Sequence, residues 1–405
     1  MNAMGFDRIL GGVCAPLGFL ASGVSCGIKA DGKNDLALVY SSEPAFAAGV
    51  FTTNEMKAAP VLLTRSLLSA GQAQAVVLNS GCANAMTGER GMKDAVLMAK
   101  SAEKALGLSS GQAVVASTGH ICEFLPMDKV ASGIEVAAGE LSPGGNTDAA
   151  KAIMTTDTYP KELAAEMEIG GKIVRIGAMA KGSGMVQPNM ATMLAVITTD
   201  IELPHDIMQD WLASAVEWSF NRISVDGDQS TNDMVLMLAN GAAFAEGHVL
   251  SSQEADLFYR ALCWLTGNLA MSLVKDGEGA SKLIRIVVNG TVDDADAVRV
   301  GRAIANSNLV KCSFNGEQLN IGRVAAAAGS AGVALDPAKF TAFIGEHKVA
   351  EGGKAVDYDP ADLARIMRRD EVELTVNLGL GSGSAYFLTC DLSTAYVEFN
   401  AGERS

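Results

Sequence analysis

The sequence predicts a mixed sandwich, α/β or α+β, with helices packed on sheets. Three observations lead there: short apolar runs ending in polar, glycine-bearing turns, helical spacing between such runs, and strict alternation near the C-terminus. The first apolar stretch, Ile9 to Val24, is broken by Gly11, Gly12, Pro16 and Gly18, and Asp7 offsets Arg8. It therefore reads as turn and strand rather than as a leader or a span. Gln74 to Leu78 and Ala113 to Ala116 suit buried strands whose ends carry function. Between them, Val96, Ala99, Ala102 and Leu106 recur at helical spacing, which predicts a helix over 92–106 that crosses from one strand towards the next. Met193 to Asp200 is apolar and partly β-branched, the pattern of a buried strand that Thr192 would open. Leu257, Ala261, Leu265 and Leu269 repeat every fourth residue and predict a second helix over 254–273. Val372, Leu374, Val376 and Leu378 alternate, and Ala385–Cys390 and Tyr396–Asn400 follow as strands, together a β-meander. No internal repeat is present.

Composition narrows the class. With 405 residues, 49% of them hydrophobic and 19% charged, the chain can bury a large core and build two or three domain-sized units. A net charge of −15 with scattered Lys and Arg argues against nucleic acid and anionic membrane as partners, since both need clustered cations. Seven cysteines lie far apart without a C-x-x-C pair, which fits reduced thiols in a cytoplasmic protein and no zinc site. The four histidines show no ligand spacing. Asp226-Gly227-Asp228 resembles the start of a calcium loop, but Thr231 and Met237 stand where Gly and Glu are needed, so the acidic loop is expected to satisfy its own backbone. Gly379-x-Gly381-x-Gly383 lies between strands with no helix behind it, a tight turn rather than a phosphate loop. No metal and no cofactor are expected.

The run most suggestive of chemistry is Lys181-Gly182-Ser183-Gly184-Met185-Val186-Gln187-Pro188-Asn189-Met190-Ala191-Thr192. A Gly- and Pro-rich loop set against a strand-opening Thr is also what an ordinary surface loop looks like. It suits, however, a chain that cuts itself between Ala191 and Thr192. The freed α-amine, with a pKa of about 7.7–8.0, would be poised to take the proton of its own hydroxyl.

This run resembles the cleavage-site signature of the ornithine acetyltransferase family, the bifunctional glutamate N-acetyltransferases of arginine biosynthesis. Further blocks similar to that family occur in order: Phe51-Thr52-Thr53-Asn54 with Ala58-Ala59-Pro60-Val61, Asn79-Ser80-Gly81, Ser117-Thr118-Gly119, Thr155-Thr156-Asp157-Thr158, Val225-Asp226-Gly227-Asp228 with Ser230-Thr231-Asn232-Asp233, Lys275-Asp276-Gly277-Glu278-Gly279-Ala280 and Thr389-Cys390-Asp391-Leu392. The resemblance implies a layered α-β-β-α sandwich of the self-cleaving N-terminal-Thr acyltransferase type with a smaller accessory lobe. It implies an α-chain of residues 1–191, a β-chain of residues 192–405, and a heterotetramer of two of each. By the same resemblance Thr192 is the nucleophile and Thr118 and Gly119 form the oxyanion hole. Thr158, Lys181, Thr192, Glu278, Asn400 and Ser405 contact the substrates, N-acetylornithine and glutamate. Lys181 and Glu278 supply the opposite charges that a buried zwitterion requires.

The chain also departs from the family pattern. His120-Ile121-Cys122 stands where Val-Ile-Gly is usual, Cys82 replaces an Asn, and Gln318-Leu319-Asn320-Ile321 replaces Asp-Pro-Asn-Trp. These exchanges keep two other readings open. One is a relative with a different acyl donor or acceptor, an amidohydrolase included, and the other is a member that binds an amino acid without turning it over.

Overall fold

The computed structural model describes residues 4–187, 193–244 and 247–402. Ala191, Thr192 and Ser405 lie outside the described residues.

Two sheets stack face to face. One has six strands in the order Phe6–Ile9, Lys161–Ile169, Lys172–Lys181, Leu194–Thr199, Met234–Ala239, Phe46–Phe51. The other has four, Phe19–Val24, Leu36–Ser41, Ala75–Asn79, Ala113–Ser117. Leu194–Thr199, Met234–Ala239, Ala75–Asn79 and Ala113–Ser117 are buried along their whole length. That explains their near-continuous apolar runs, because a strand covered on both faces has no polar side to alternate. Val39, Leu78 and Ala116 of one sheet meet Met179, Val196 and Leu236 of the other in a shared core.

Helices cover the two outer faces. Gly88–Leu106 joins the parallel pair Ala75–Asn79 and Ala113–Ser117 as their crossover, and packs with Met127–Gly139 against the four-stranded sheet. His205–Glu217 and Ser252–Lys275 cover the six-stranded sheet. The longer helix starts in a capping box between Ser251 and Glu254. Hydrogen bonds from Ser251 hold the Glu254 carboxyl down at about 2. Ser252–Lys275 is long and apolar enough to cross a membrane, but Phe258, Leu262, Leu265, Leu269 and Leu273 bury it in the core beneath the sheet. The result is the expected α-β-β-α sandwich.

A third, seven-stranded sheet with its own core makes the accessory lobe, in the order Ile223–Ser224, Gly383–Cys390, Leu283–Thr291, Glu371–Asn377, Thr341–Ile344, His347–Glu351, Lys354–Ala355. Here the meander expectation is corrected. Glu371–Asn377 and Gly383–Cys390 are strands but not neighbours: Leu283–Thr291 lies between them, parallel to the first and antiparallel to the second. Its buried Leu283, Ile284, Ile286 and Val288 hold the middle of the sheet, so a distant apolar strand displaces the local pairing. The Gly-rich turn instead wraps the end of that strand, with the Leu380 and Gly381 amides donating to Gly290 O at 2.7 and 3.2 Å. Tyr396–Asn400 is also corrected, being part of the helix Thr394–Gly402 rather than a strand. Ser393 Oγ accepts from the Tyr396 amide at 3.4 Å, and Asn400 Nδ2 donates to Tyr396 O at 3.0 Å. A capping serine decides against the β-propensity of the aromatic residues.

Candidate active site

The site forms where strand ends from the two stacked sheets meet. Ala75–Asn79 and Ala113–Ser117 run parallel in register, so both chains turn at the same level, and the Thr118 amide donates to Asn79 O at 3.0 Å. Gly119 follows at φ 123°, and a Cβ there would lie 2.4 Å from Gly81 C and 2.6 Å from Cys82 N. Only glycine lets these two backbones approach so closely. Asn232 locks the turn by donating from Nδ2 to Ala83 O at 2.6 Å and to Ser117 O at 2.9 Å.

Lys181 ends the strand Lys172–Lys181 and is almost fully buried. Its Nζ lies 3.4 Å from Thr118 Oγ1, which brings two of the expected residues together. Burial lowers the Lys181 pKa, while Asp157, Asp233 and Glu278 favour the charged form. Thr158 donates through its amide to Asp276 Oδ2 at 2.9 Å and through its hydroxyl to Asp276 Oδ1. Glu278 is fixed by its amide, which donates to Ser183 O at 2.9 Å, and its Oε2 accepts from Asn400 Nδ2 at 2.9 Å. Its carboxylate lies over Gly184, where a Cβ would stand 2.3 Å from Oε1. Gly184 thus leaves room for the Glu278 carboxylate. Thr118, Gly119 and Lys181 form one group and Glu278 with Asn400 another, joined through Ser183 and Asp276.

Two aspartates of the segment 225–233, both in family-like blocks but given no site role from the sequence, bind backbone amides at 185–186 and at 193. Upstream, Asp226 accepts from the Met185 and Val186 amides at 2.5 and 2.9 Å. It also accepts from Asp228 N at 3.1 Å, so the acidic loop serves its own backbone as expected and holds a second loop as well. Downstream, Asp233 Oδ1 accepts from the Met193 amide at 2.9 Å, while Oδ2 makes no hydrogen bond among the described residues. Burial pushes the Asp233 carboxyl well above the usual range. A signal was present in the sequence, since acidic residues stand just ahead of the strand Met234–Ala239, which pairs with Leu194–Thr199. Nothing in their spacing, though, says which amides they meet.

Burial also pushes the Asp226 carboxyl up, to about 6. The unfolded chain releases that proton near ~3.9. The folded-state pKa is therefore raised, and this group's contribution to stability is fully present below about pH 4 and is lost as the pH rises through the folded value. The loss is at most about 3 kcal/mol. Urea unfolding of wild type and Asp226→Asn, compared between about pH 4 and pH 7.5, should show the difference moving against the wild type. A flat difference would remove Asp226 as a buried titrating group.

Three of the departures, Cys82, His120 and Cys122, lie at or beside the Thr118-Gly119 turn. The His120 side chain is half exposed and faces Glu123 at 3.7 Å, and Cys122 is exposed at φ 68° with Sγ 3.9 Å from Met86 Sδ. Cys82 is buried, and its thiol donates to Glu123 O at 3.4 Å. Asn320 caps the helix Ile321–Gly329 in the accessory lobe, accepting from the Arg323 amide.

The site thus sets a glycine-bearing strand-end turn and a buried lysine near a glutamate on an α-β-β-α sandwich, and similarity to known proteins gives the class, an acyltransferase. The ArgJ family model matches residues 20–405. The arginine biosynthesis bifunctional protein ArgJ of Symbiobacterium thermophilum is 49% identical over 401 residues, covering 98% of this chain and 100% of that one. That of Gloeobacter violaceus is 45% identical over 400 residues, covering 98% of each. A crystal structure of ornithine acetyltransferase complexed with ornithine, from Mycobacterium tuberculosis, is 45% identical with a TM-score of 0.43, covering 45% of this chain and 98% of that chain. The chain belongs to the ArgJ family, the glutamate N-acetyltransferases of arginine biosynthesis.

Proposed function

We propose that the protein cuts itself between Ala191 and Thr192 and then moves acetyl from N-acetylornithine to glutamate by ping-pong chemistry. One observation carries this reading. Adjacent side chains, Asn232 and Asp233, grip Ser117 O, just before Thr118, and Met193 N, just after Thr192. The proposed nucleophile is thereby tied in sequence to the proposed oxyanion hole.

In the first stage Thr192 Oγ attacks the Ala191 carbonyl, the acyl group shifts from nitrogen to oxygen and frees the α-amine, and water then hydrolyses the ester to release the Ala191 carboxylate and restore the hydroxyl. In the second that amine takes the hydroxyl proton as Thr192 Oγ attacks the acetyl carbon. Thr118 and Gly119 stabilise the oxyanion, ornithine leaves with a proton, and glutamate takes the acetyl group. Lys181 pairs with the substrate carboxylate and Glu278 with its ammonium; Thr158 and Asn400 line the same pocket, and Ser405 is assigned to it by resemblance. No cofactor is required. The cut falls between Lys172–Lys181 and Leu194–Thr199, which pair antiparallel from Ile176 with Thr199 to Lys181 with Leu194. Fragments 1–191 and 192–405 therefore stay hydrogen-bonded in one sheet, ready to assemble as two α and two β chains in the cytoplasm.

Electrophoresis with N-terminal sequencing, followed by mass analysis of the enzyme after exposure to N-acetylornithine, tests both stages. A fully active single chain would refute self-cleavage, and discharge of the acyl-enzyme only to water would refute the transferase reading. Lys181→Met is expected to raise KM for both amino acids by roughly 10- to 100-fold, the loss of one charge-assisted contact in a dry pocket. Wild-type kinetics in that variant would place the carboxylate elsewhere.

A further inference from the structure

Behind the site lies a buried ion network that the proposed mechanism leaves unused. Lys161 opens the strand Lys161–Ile169, and its Nζ reaches Asp157 Oδ1 at 2.7 Å and Asp276 Oδ2 at 2.5 Å. The side chains of Lys161 and Asp157 are fully inaccessible and that of Asp276 is 3% exposed. Each carboxylate serves a site segment as well. Asp157 accepts from the Gly182 amide at 2.9 Å, directly after Lys181, and from the Thr155 amide at 3.1 Å. Asp276 takes the amide and the hydroxyl of Thr158, and its backbone carbonyl accepts from Ser183 Oγ at 2.5 Å. Burial by itself would push the Asp157 carboxyl up, but Lys181 and Lys161 beside it bring it below the ordinary value.

We propose that Lys161, bridging Asp157 and Asp276, is a positioning residue for the amino-acid pocket. It fixes Thr158 with its hydroxyl proton committed to Asp276, so that the hydroxyl oxygen faces the pocket as an acceptor for an N–H of the substrate. Buried ion pairs contribute little to stability compared with apolar packing of the same volume, so a role in stability alone is a poor account of this one. Its location points to positioning. The three segments carrying Thr158, Lys181 and Glu278 converge on this lysine and its two partners. The bridge also crosses the proposed cut, with Lys161 on one side and Asp276 on the other, and so holds the two halves of the pocket in register after cleavage.

This inference rests on the amino-acid pocket of the proposed function, and a double-mutant cycle tests it. Lys161→Met, Thr158→Val and the double variant are compared with wild type for kcat, for KM towards N-acetylornithine and glutamate, and for melting temperature. Each single variant is expected to raise KM roughly tenfold, the loss of one hydrogen bond to a charged group. The double variant should lie within about threefold of Thr158→Val alone, because both changes break the same contact. Multiplying effects, or an unchanged KM with only a lowered melting temperature, would overturn the proposal.

If Lys161→Met does not fold, Lys161→Met with Asp276→Asn removes one charge of each sign and takes its place. In that folded variant the same rise in KM supports the role, and a wild-type KM refutes it. Ornithine affinity by calorimetry gives the same cycle without turnover. Failure of the wild type to transfer acetyl would then count against the proposed function, while the affinity cycle would still decide the role of Lys161.

Discussion

Thr192→Ala is expected to yield one uncut chain with no acetyl transfer, because in the proposed mechanism a single hydroxyl serves both reactions. In cleavage it is the only group offered as attacker of the Ala191 carbonyl. In the proposed turnover it carries the acetyl group, and of the other proposed site hydroxyls that of Thr158 is committed to Asp276. The fold should survive. Met193 still donates to Asp233, Val186 still bonds Val225, and the strand Leu194–Thr199 remains paired on both edges. A melting temperature near wild type with the full-length band retained and no acyl-enzyme detected is the expected set of results. Residual activity above about one part in a thousand would name another nucleophile, since loss of the attacking group in such enzymes costs at least that much.

How much of this was legible beforehand differs between elements for physical reasons. The strands at 75–79, 113–117 and 194–199 and the helices at 88–106 and 252–275 were readable because burial on one or both faces writes a local period into the sequence. The accessory lobe was misread because its order depends on Leu283–Thr291, far away in the chain, entering between two strands that alternate convincingly on their own. Helix Thr394–Gly402 was misread because none of its residues is buried, so no apolar face recorded its period. In the site, Thr118, Gly119, Lys181 and Glu278 were singled out through motif resemblance, and the structure sets Lys181 beside Thr118 and Glu278 beside Asn400. Asp226 and Asp233 were noted but given no site role, and the Lys161 bridge went unread. Their partners are backbone amides and distant carboxylates, and contacts of that kind leave no spacing to read.

Gly119→Ala should lower kcat by about 10²–10³, the cost of losing one oxyanion donor, and should slow self-cleavage as well. At φ 123° an alanine is strained before any contact is counted. Its methyl would then meet Gly81 C at 2.4 Å, Cys82 N at 2.6 Å and Gly81 Cα at 2.7 Å, all backbone atoms that no rotamer change can move aside. The turn must open or flip. The isolated bridges of Cys82 to Thr118 and to His120 would break first, and both peptide planes on either side of Gly119 would swing with them. In the proposed mechanism both oxyanions, the one at Ala191 during cleavage and the one at the acetyl carbon during turnover, rely on the same turn, so the variant should accumulate uncut chain and turn over slowly once cut. Gly267→Ala is the control: it lies inside the helix Ser252–Lys275 with nothing within 4 Å of the added methyl, and should keep wild-type kinetics. If a folded Gly119→Ala protein cleaves and turns over like the control, the oxyanion is stabilised elsewhere, and the close approach of Gly119 to Gly81 is a packing feature of the two strand ends.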